Sequence, residues 1–208
     1  MPKKFKIRIR PCRQDFEFRD NGLTVNRQIL QQACETLEAG GIIAYPTEAV
    51  WGLGCDPQSY SAVKRILALK GRSQDKGLIL VAAGVHQLGK LFDGLNARQL
   101  GRIEASWPGP TTRLIPDPAK LFPAWIKVNI QSFSIRVSAH PLVHALCEQF
   151  GKPIVSTSAN AAGKTSIRDR TEIETLFGGS IDYVVAGDLG ADPLPSEIRD
   201  LLSGSLIR

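Results

Sequence analysis

The sequence predicts an α/β fold, one sheet wrapped by helices. Three observations point there. Short runs of branched apolar residues alternate with segments of helical apolar spacing, the pattern of strands that alternate with packing helices. At 208 residues and 43% hydrophobic, the chain can bury one sizeable core, which suits a single domain. The run Lys152-Pro153-Ile154-Val155-Ser156-Thr157-Ser158-Ala159-Asn160 carries a buried-strand signal straight into small polar residues. Such rows at strand ends of α/β sheets face a ligand crevice.

The elements follow in order. Phe5 to Arg10 alternates apolar and basic residues and suits an edge strand stopped by Pro11; residues 1–26 read as a basic N-terminal extension. Asn26 caps a helix with Ile29, Leu30, Ala33, Cys34 and Leu37 on one side, ended by Gly40-Gly41. Ile42 to Tyr45 is a buried strand. A second helix spans about Ser61 to Leu69, with Val63, Ile66, Leu67 and Lys70 on one side and Gly71 as the break. Leu78 to Val81 is a strand, and Gln87 to Ala105 is helical with an interruption near Asp93-Gly94. Trp107-Pro108-Gly109-Pro110 forms a rigid turn before strands at Thr111 to Ile115 and Phe133 to Val137. Pro141 opens a helix that Gly151 closes, and Ile154-Val155 is the next strand. Thr171 and Glu174 form a capping-box pair, and Ile181 to Val185 is a late strand.

Composition excludes several classes. No apolar run approaches the roughly 18 to 20 residues that span a bilayer, and the basic start lacks the apolar core of a secretory signal. Cys12, Cys34, Cys55 and Cys147 are scattered without a pairing framework, as in a reduced cytoplasmic protein, and no cluster has metal-ligand spacing. Of the net charge of +6, most sits in residues 1–27, with eight Lys or Arg against three acidic residues. Basicity therefore says little about nucleic-acid binding by the domain itself.

Few residues offer chemistry. Lys70 and Arg72 flank a glycine at a helix end, where they either meet one polyanion or stabilise a solvated C-terminus. In Tyr45-Pro46-Thr47-Glu48-Ala49-Val50-Trp51-Gly52-Leu53-Gly54, Thr47 lies on a bend, and the glycines serve turn geometry or let backbone amides approach a ligand. Trp51 reads as packing at the crevice wall. Arg136, the one cation in an apolar strand, needs an internal carboxylate or an anionic ligand. His86 reads as loop surface, and His140 and His144 as structural. No catalytic triad, Gly-x-x-x-x-Gly-Lys loop or Gly-x-Gly-x-x-Gly turn is present, so any nucleotide is held another way.

Together Tyr45-Pro46-Thr47-Glu48, Leu69-Lys70-Gly71-Arg72, Asp75-Lys76-Gly77-Leu78-Ile79-Leu80, Trp107-Pro108-Gly109-Pro110-Thr111-Thr112, Ile135-Arg136-Val137, Ser156-Thr157-Ser158-Ala159-Asn160, Pro195-Ser196-Glu197-Ile198 and Leu206-Ile207-Arg208 occur in one order. That ordered set resembles the YrdC-like family, the threonylcarbamoyl-AMP synthases, in its free-standing short form. The resemblance covers residues 27–208. It implies a single-domain, twisted mixed sheet with flanking helices and a large concave ligand-binding face. It also implies an enzyme joining L-threonine, bicarbonate or CO2, and ATP into threonylcarbamoyl-adenylate plus pyrophosphate. Partner proteins then transfer the group to tRNA. By the same resemblance, Lys70, Arg72, Ser158 and Asn160 are catalytic, Thr47 and Arg136 contact threonine, and Ser132, Ser156, Ser166, Ser196 and Arg208 join Lys70 and Ser158 around ATP. Mg2+ is expected to arrive on the phosphates. The competing reading is a non-catalytic protein of the same fold that binds double-stranded RNA or tRNA. Arg113 departs from the family pattern, standing where an apolar strand residue is expected, and no proline follows Arg72.

Overall fold

The computed structural model describes residues 26–127, 132–192 and 194–208; the edge strand expected at Phe5 to Arg10, most of the extension and Cys12 lie outside them. The first helix, α1 (Arg27–Glu38), starts where expected because the Asn26 side chain accepts from the Gln28 amide, and it buries Leu30, Ala33, Cys34 and Leu37. It leads into β1 (Ile43–Pro46), which turns through residues 47–50 into β2 (Trp51–Gly54). This second strand was not anticipated. Its two glycines read as a turn, but both lie in the β1–β2 ladder, where Tyr45 faces Gly52 and Ile43 faces Gly54. A Cβ on Gly54 would meet the Tyr45 ring at 2.7 Å, so the glycines make room for a fully buried tyrosine.

Helix α2 (Tyr60–Lys70) follows, capped by Ser59 and closed by Gly71 in the left-handed conformation (φ +56°). Next come β3 (Ile79–Ala82), α3 (Ala97–Glu104), β4 (Thr111–Pro116), β5 (Ser132–Val137), α4 (Pro141–Phe150) and β6 (Ile154–Ser158). The expected break before α3 is real: Val85–Phe92 is 3-10 helix, and Asn96 opens α3 with a complete capping box. The last elements are α5 (Arg170–Phe177), β7 (Tyr183–Val184) and β8 (Glu197–Asp200). The α5 cap is Asp169, whose carboxylate accepts from the Glu172 amide, not Thr171; an aspartate two residues earlier satisfies the free amides first. The sequence Glu-Ile-Arg-Asp of β8 showed no apolar alternation strong enough to mark a strand, because it sits at the sheet edge with every residue half-buried.

The eight strands form one mixed sheet in the order β7-β1-β2-β6-β3-β5-β4-β8. Three neighbouring pairs are parallel (β1·β7, β3·β5, β4·β8), and the central β1·β2, β2·β6 and β6·β3 pairs, with β5·β4, are antiparallel. The pleat splits the core. Ile42, Ala44 and Leu53 pack with Val63, Ile66 and Leu67 of α2, while Ile43, Tyr45, Val81 and Ile154 pack with α1 and α4. No helix among the described residues is long and apolar enough to cross a membrane.

Candidate functional site

A cleft of about 670 Å3 opens where the end of α2, the tip of β6, the β1–β2 turn, Asp192 and the segment 194–208 converge. Its wall includes Lys70, Arg72, Ser156, Ser158, Asn160, Thr47, Arg136, Ser166, Ser196 and Arg208, so residues far apart in sequence share one hollow. Ser132 is not part of that wall. It opens β5 opposite Pro116, four residues before Arg136, or about 13 Å along a strand.

Lys70 does not extend from the helix into solvent. It is only 3% exposed, because its position repeats the inward spacing of Val63, Ile66 and Leu67. Its Nζ donates to the carbonyl of Ser158, to the carbonyl of Asn160 (2.8 Å) and to Asn160 Oδ1 (3.3 Å). Ser158 Oγ in turn donates to Asn160 Oδ1 at 2.6 Å, and Asn160 Nδ2 donates to the carbonyls of Ala161 and Lys164. The Lys-x-Arg and Ser-x-Asn segments are thus one bonded unit. Burial, with Arg72 nearby, brings the Lys70 ammonium down to about 8. Arg72 is half-buried; its Nη2 donates to the carbonyls of Lys76 and Gly77, and its Nε is buried without a partner. Burial and then Arg208 lower its pKa. No carboxylate pairs with Lys70, Arg72 or Arg208 among the described residues. Lys76 lies on the same wall beside Arg72, so this end of the cleft is strongly cationic.

At the other end the buried cation is paired. Arg136, 6% exposed, found the internal carboxylate: Nη1 lies 2.9 Å from Glu48 Oε2, and Ser138 Oγ donates to Glu48 Oε1 at 2.6 Å. Burial alone would raise the Glu48 pKa, but Arg136 and Ser138 more than offset it, and the carboxyl lies below its ordinary value. Arg136 keeps a buried Nε without a partner. Thr47 Oγ1 donates to the Val50 carbonyl at 2.6 Å, closing the β1–β2 turn. His140 is structural: Nε2 contacts the Asp188 carbonyl at 3.1 Å, and burial lowers its pKa.

Sequence reasoning missed the segment 188–192. The amides of Gly190 and Asp192 donate to the carbonyls of Thr47 and Glu48, strapping this segment across the turn. A Cβ on Gly190 would come within 2.8 Å of Glu48 Cα, so glycine permits that approach. Glu48 was noted only as part of a motif; as the acidic residue following the bend, it was the available signal for the partner of Arg136. Ser196 Oγ lies 3.0 Å from Thr112 Oγ1. The Arg208 backbone is tied down, its carbonyl accepting from the Ile198 amide at 2.8 Å.

Comparison with known proteins gives the family and the fold. A family model for the Sua5, YciO and YrdC proteins, described as telomere recombination, matches residues 35–208. The chain belongs to the Sua5/YciO/YrdC family. Its relatives include the threonylcarbamoyl-AMP synthase of Pseudomonas fluorescens strain Pf-5, 48% identical over 179 residues, which are 86% of this chain and 96% of the relative. The enzyme of the same name from Stutzerimonas stutzeri strain A1501 is 50% identical over the same shares. Among solved structures, P. abyssi Sua5 complexed with L-threonine matches with a TM-score of 0.78 at 30% identity, over 86% of this chain and 53% of that one. This family member thus spans about half the length of the P. abyssi protein. E. coli YciO shares the fold, with a TM-score of 0.77 at 24% identity, over 88% of this chain and 89% of that one.

Proposed function

We propose that the chain is a threonylcarbamoyl-AMP synthase, a nucleotidyltransferase that joins L-threonine, bicarbonate or CO2, and ATP into threonylcarbamoyl-adenylate and pyrophosphate. The observation that carries the reading is the unit of Lys70, Ser158 and Asn160 facing Arg72 and Arg208: a buried cation held by neutral oxygens, with no carboxylate to cancel it. A site of this kind favours a triphosphate.

In this reading the triphosphate lies against Lys70, Arg72 and Arg208, with Ser156, Ser158, Ser166 and Ser196 as neutral hydrogen-bonding groups. Threonine lies toward Thr47 and Arg136, where the Glu48–Arg136 pair leaves no net charge to repel a zwitterion. The threonine amine forms a carbamate with CO2 and releases protons to water. A carbamate oxygen then attacks the α-phosphorus, the bond from that phosphorus to the bridging oxygen breaks, and pyrophosphate leaves with the electron pair. The cations stabilise charge on the transferred group and on the leaving group. Keeping the labile carbamate within reach of the nucleotide matters more than a strong base.

Mg2+ enters with ATP, bound through phosphate oxygens. Three carboxylates lie on the cleft wall; Glu48 is engaged by Arg136 and Glu197 by Arg199, which leaves Asp192, and a single carboxylate suits a metal carried largely by the substrate. The product serves tRNA modification in the cytoplasm, through proteins that take over the threonylcarbamoyl group. Residues 27–208 form the catalytic domain and residues 1–26 an extension. Purified protein given ATP and bicarbonate should release pyrophosphate only when L-threonine is added, and a chain starting at residue 27 should keep that activity. Threonine-independent release, or none, would reject the reading.

A further inference from the structure

Beside the cleft, sharing Pro110 and Glu197 with it, lies a second groove of about 510 Å3 lined by Arg102, Arg113 and Arg199. Strand alternation separates the two. Thr112 meets Ser196 on the cleft side, while Thr111, Arg113, Glu197 and Arg199 share the opposite face of β4 and β8. On that face Arg113 and Arg199 are direct cross-strand neighbours, an arrangement of like charges that destabilises a sheet unless something neutralises it.

The neutralisation within the chain is incomplete. Glu197 grips Arg199 through Nε at 2.7 Å and Nη2 at 3.0 Å. Arg102 donates to the carbonyls of Leu201, Leu202 and Ser203, and Arg113 to Ser106 Oγ and the Arg102 carbonyl. These carbonyls are dipoles, not charges. Arg113 is 6% exposed, yet among the described residues no carboxylate pairs with it and its Nη1 donates to no group. Burial, followed by the field of Arg199, lowers its pKa. Three guanidiniums thus face one carboxylate.

We propose that this groove is a second anion subsite, taking a phosphate group between Arg113 and Arg199. Nη1 of each guanidinium is left without a bond among the described residues, and two such donors on neighbouring strands suit two oxygens of one tetrahedral dianion. The subsite lies outside the reacting cleft and does not rest on the proposed activity. The phosphate is either free, as inorganic phosphate or pyrophosphate, or esterified in an RNA backbone.

Calorimetric titration of the full chain with pyrophosphate tests it, with Arg72→Gln to suppress binding in the cleft. In that background a pyrophosphate site should persist, and Arg113→Leu and Arg199→Gln should each weaken it roughly tenfold. In the wild-type background both substitutions should leave threonine-dependent pyrophosphate release unchanged. Arg199 is at the surface, so Arg199→Gln keeps the test valid if Arg113→Leu does not fold. If only a short RNA duplex, and not pyrophosphate, binds in a way that depends on Arg113 and Arg199, the phosphate is the esterified one. Binding of both probes indifferent to both substitutions overturns the subsite.

Discussion

The two buried cations of the cleft are held in opposite ways. Lys70 is surrounded by carbonyl and amide oxygens that leave its charge uncancelled; Arg136 is paired with Glu48, whose charge offsets its own. Neutral acceptors fix a cation's position while leaving its field free for an incoming anion, whereas a carboxylate fixes position and cancels the field together. The first arrangement suits a polyphosphate and the second an amino acid with both charges of its own.

The largest effect that could break this contrast concerns the paired end. Glu48→Gln leaves Arg136 buried without a counter-charge, and loss of one partner of a buried pair costs about 3–5 kcal/mol; chemical denaturation should register that drop. A stability within about 1 kcal/mol of wild type would mean that Arg136 is compensated otherwise. At the unpaired end, Lys70→Met removes three hydrogen bonds but also a desolvated charge. Pyrophosphate release should fall about 100-fold while the denaturation midpoint moves far less than for Glu48→Gln. If the midpoint collapses instead, Lys70 is chiefly a structural strut.

Titration sharpens the same point. The Lys70 pKa is depressed from 10.5 to about 8 in the folded chain. Between those values the unfolded chain binds more protons, so the Lys70 contribution makes stability rise with pH across that window. The catalytic charge is lost over the same range, so kcat/KM for ATP should decline above about pH 8. Lys70→Arg should remove that alkaline limb; a limb that survives it belongs to another group. The smallest effect is at the rim. Arg208 is exposed, and Arg208→Ala should raise the KM for ATP by no more than about fivefold, as for a solvent-screened contact. A loss as large as that of Lys70→Met would place Arg208 among the central groups.

Much of this was legible because local rules suffice for local features. Asn26, Gly71, Pro141 and Gly151 marked helix ends by their backbone chemistry, and those ends stand. The inward register of Lys70 was visible as well, though its consequence, burial against β6, depended on a contact 88 residues away. The same distance problem hid the choice at Arg136, whose carboxylate also lies 88 positions upstream. β2 and β8 escaped notice for different reasons: one carries glycines to accommodate Tyr45, the other is a polar edge without alternation. Arg113 looked out of place as a strand residue because its neighbours, the end of α3 and Arg199, are assembled only by the sheet.

Residue 70 is gripped twice, since its main-chain carbonyl accepts from the Ala162 amide at 2.7 Å while its ammonium holds residues 158 and 160. A clasp at both backbone and side chain makes the last turn of α2 and the loop beyond β6 a single mechanical piece. Amide exchange at Ala162 should then be as slow as that of the helix it fastens.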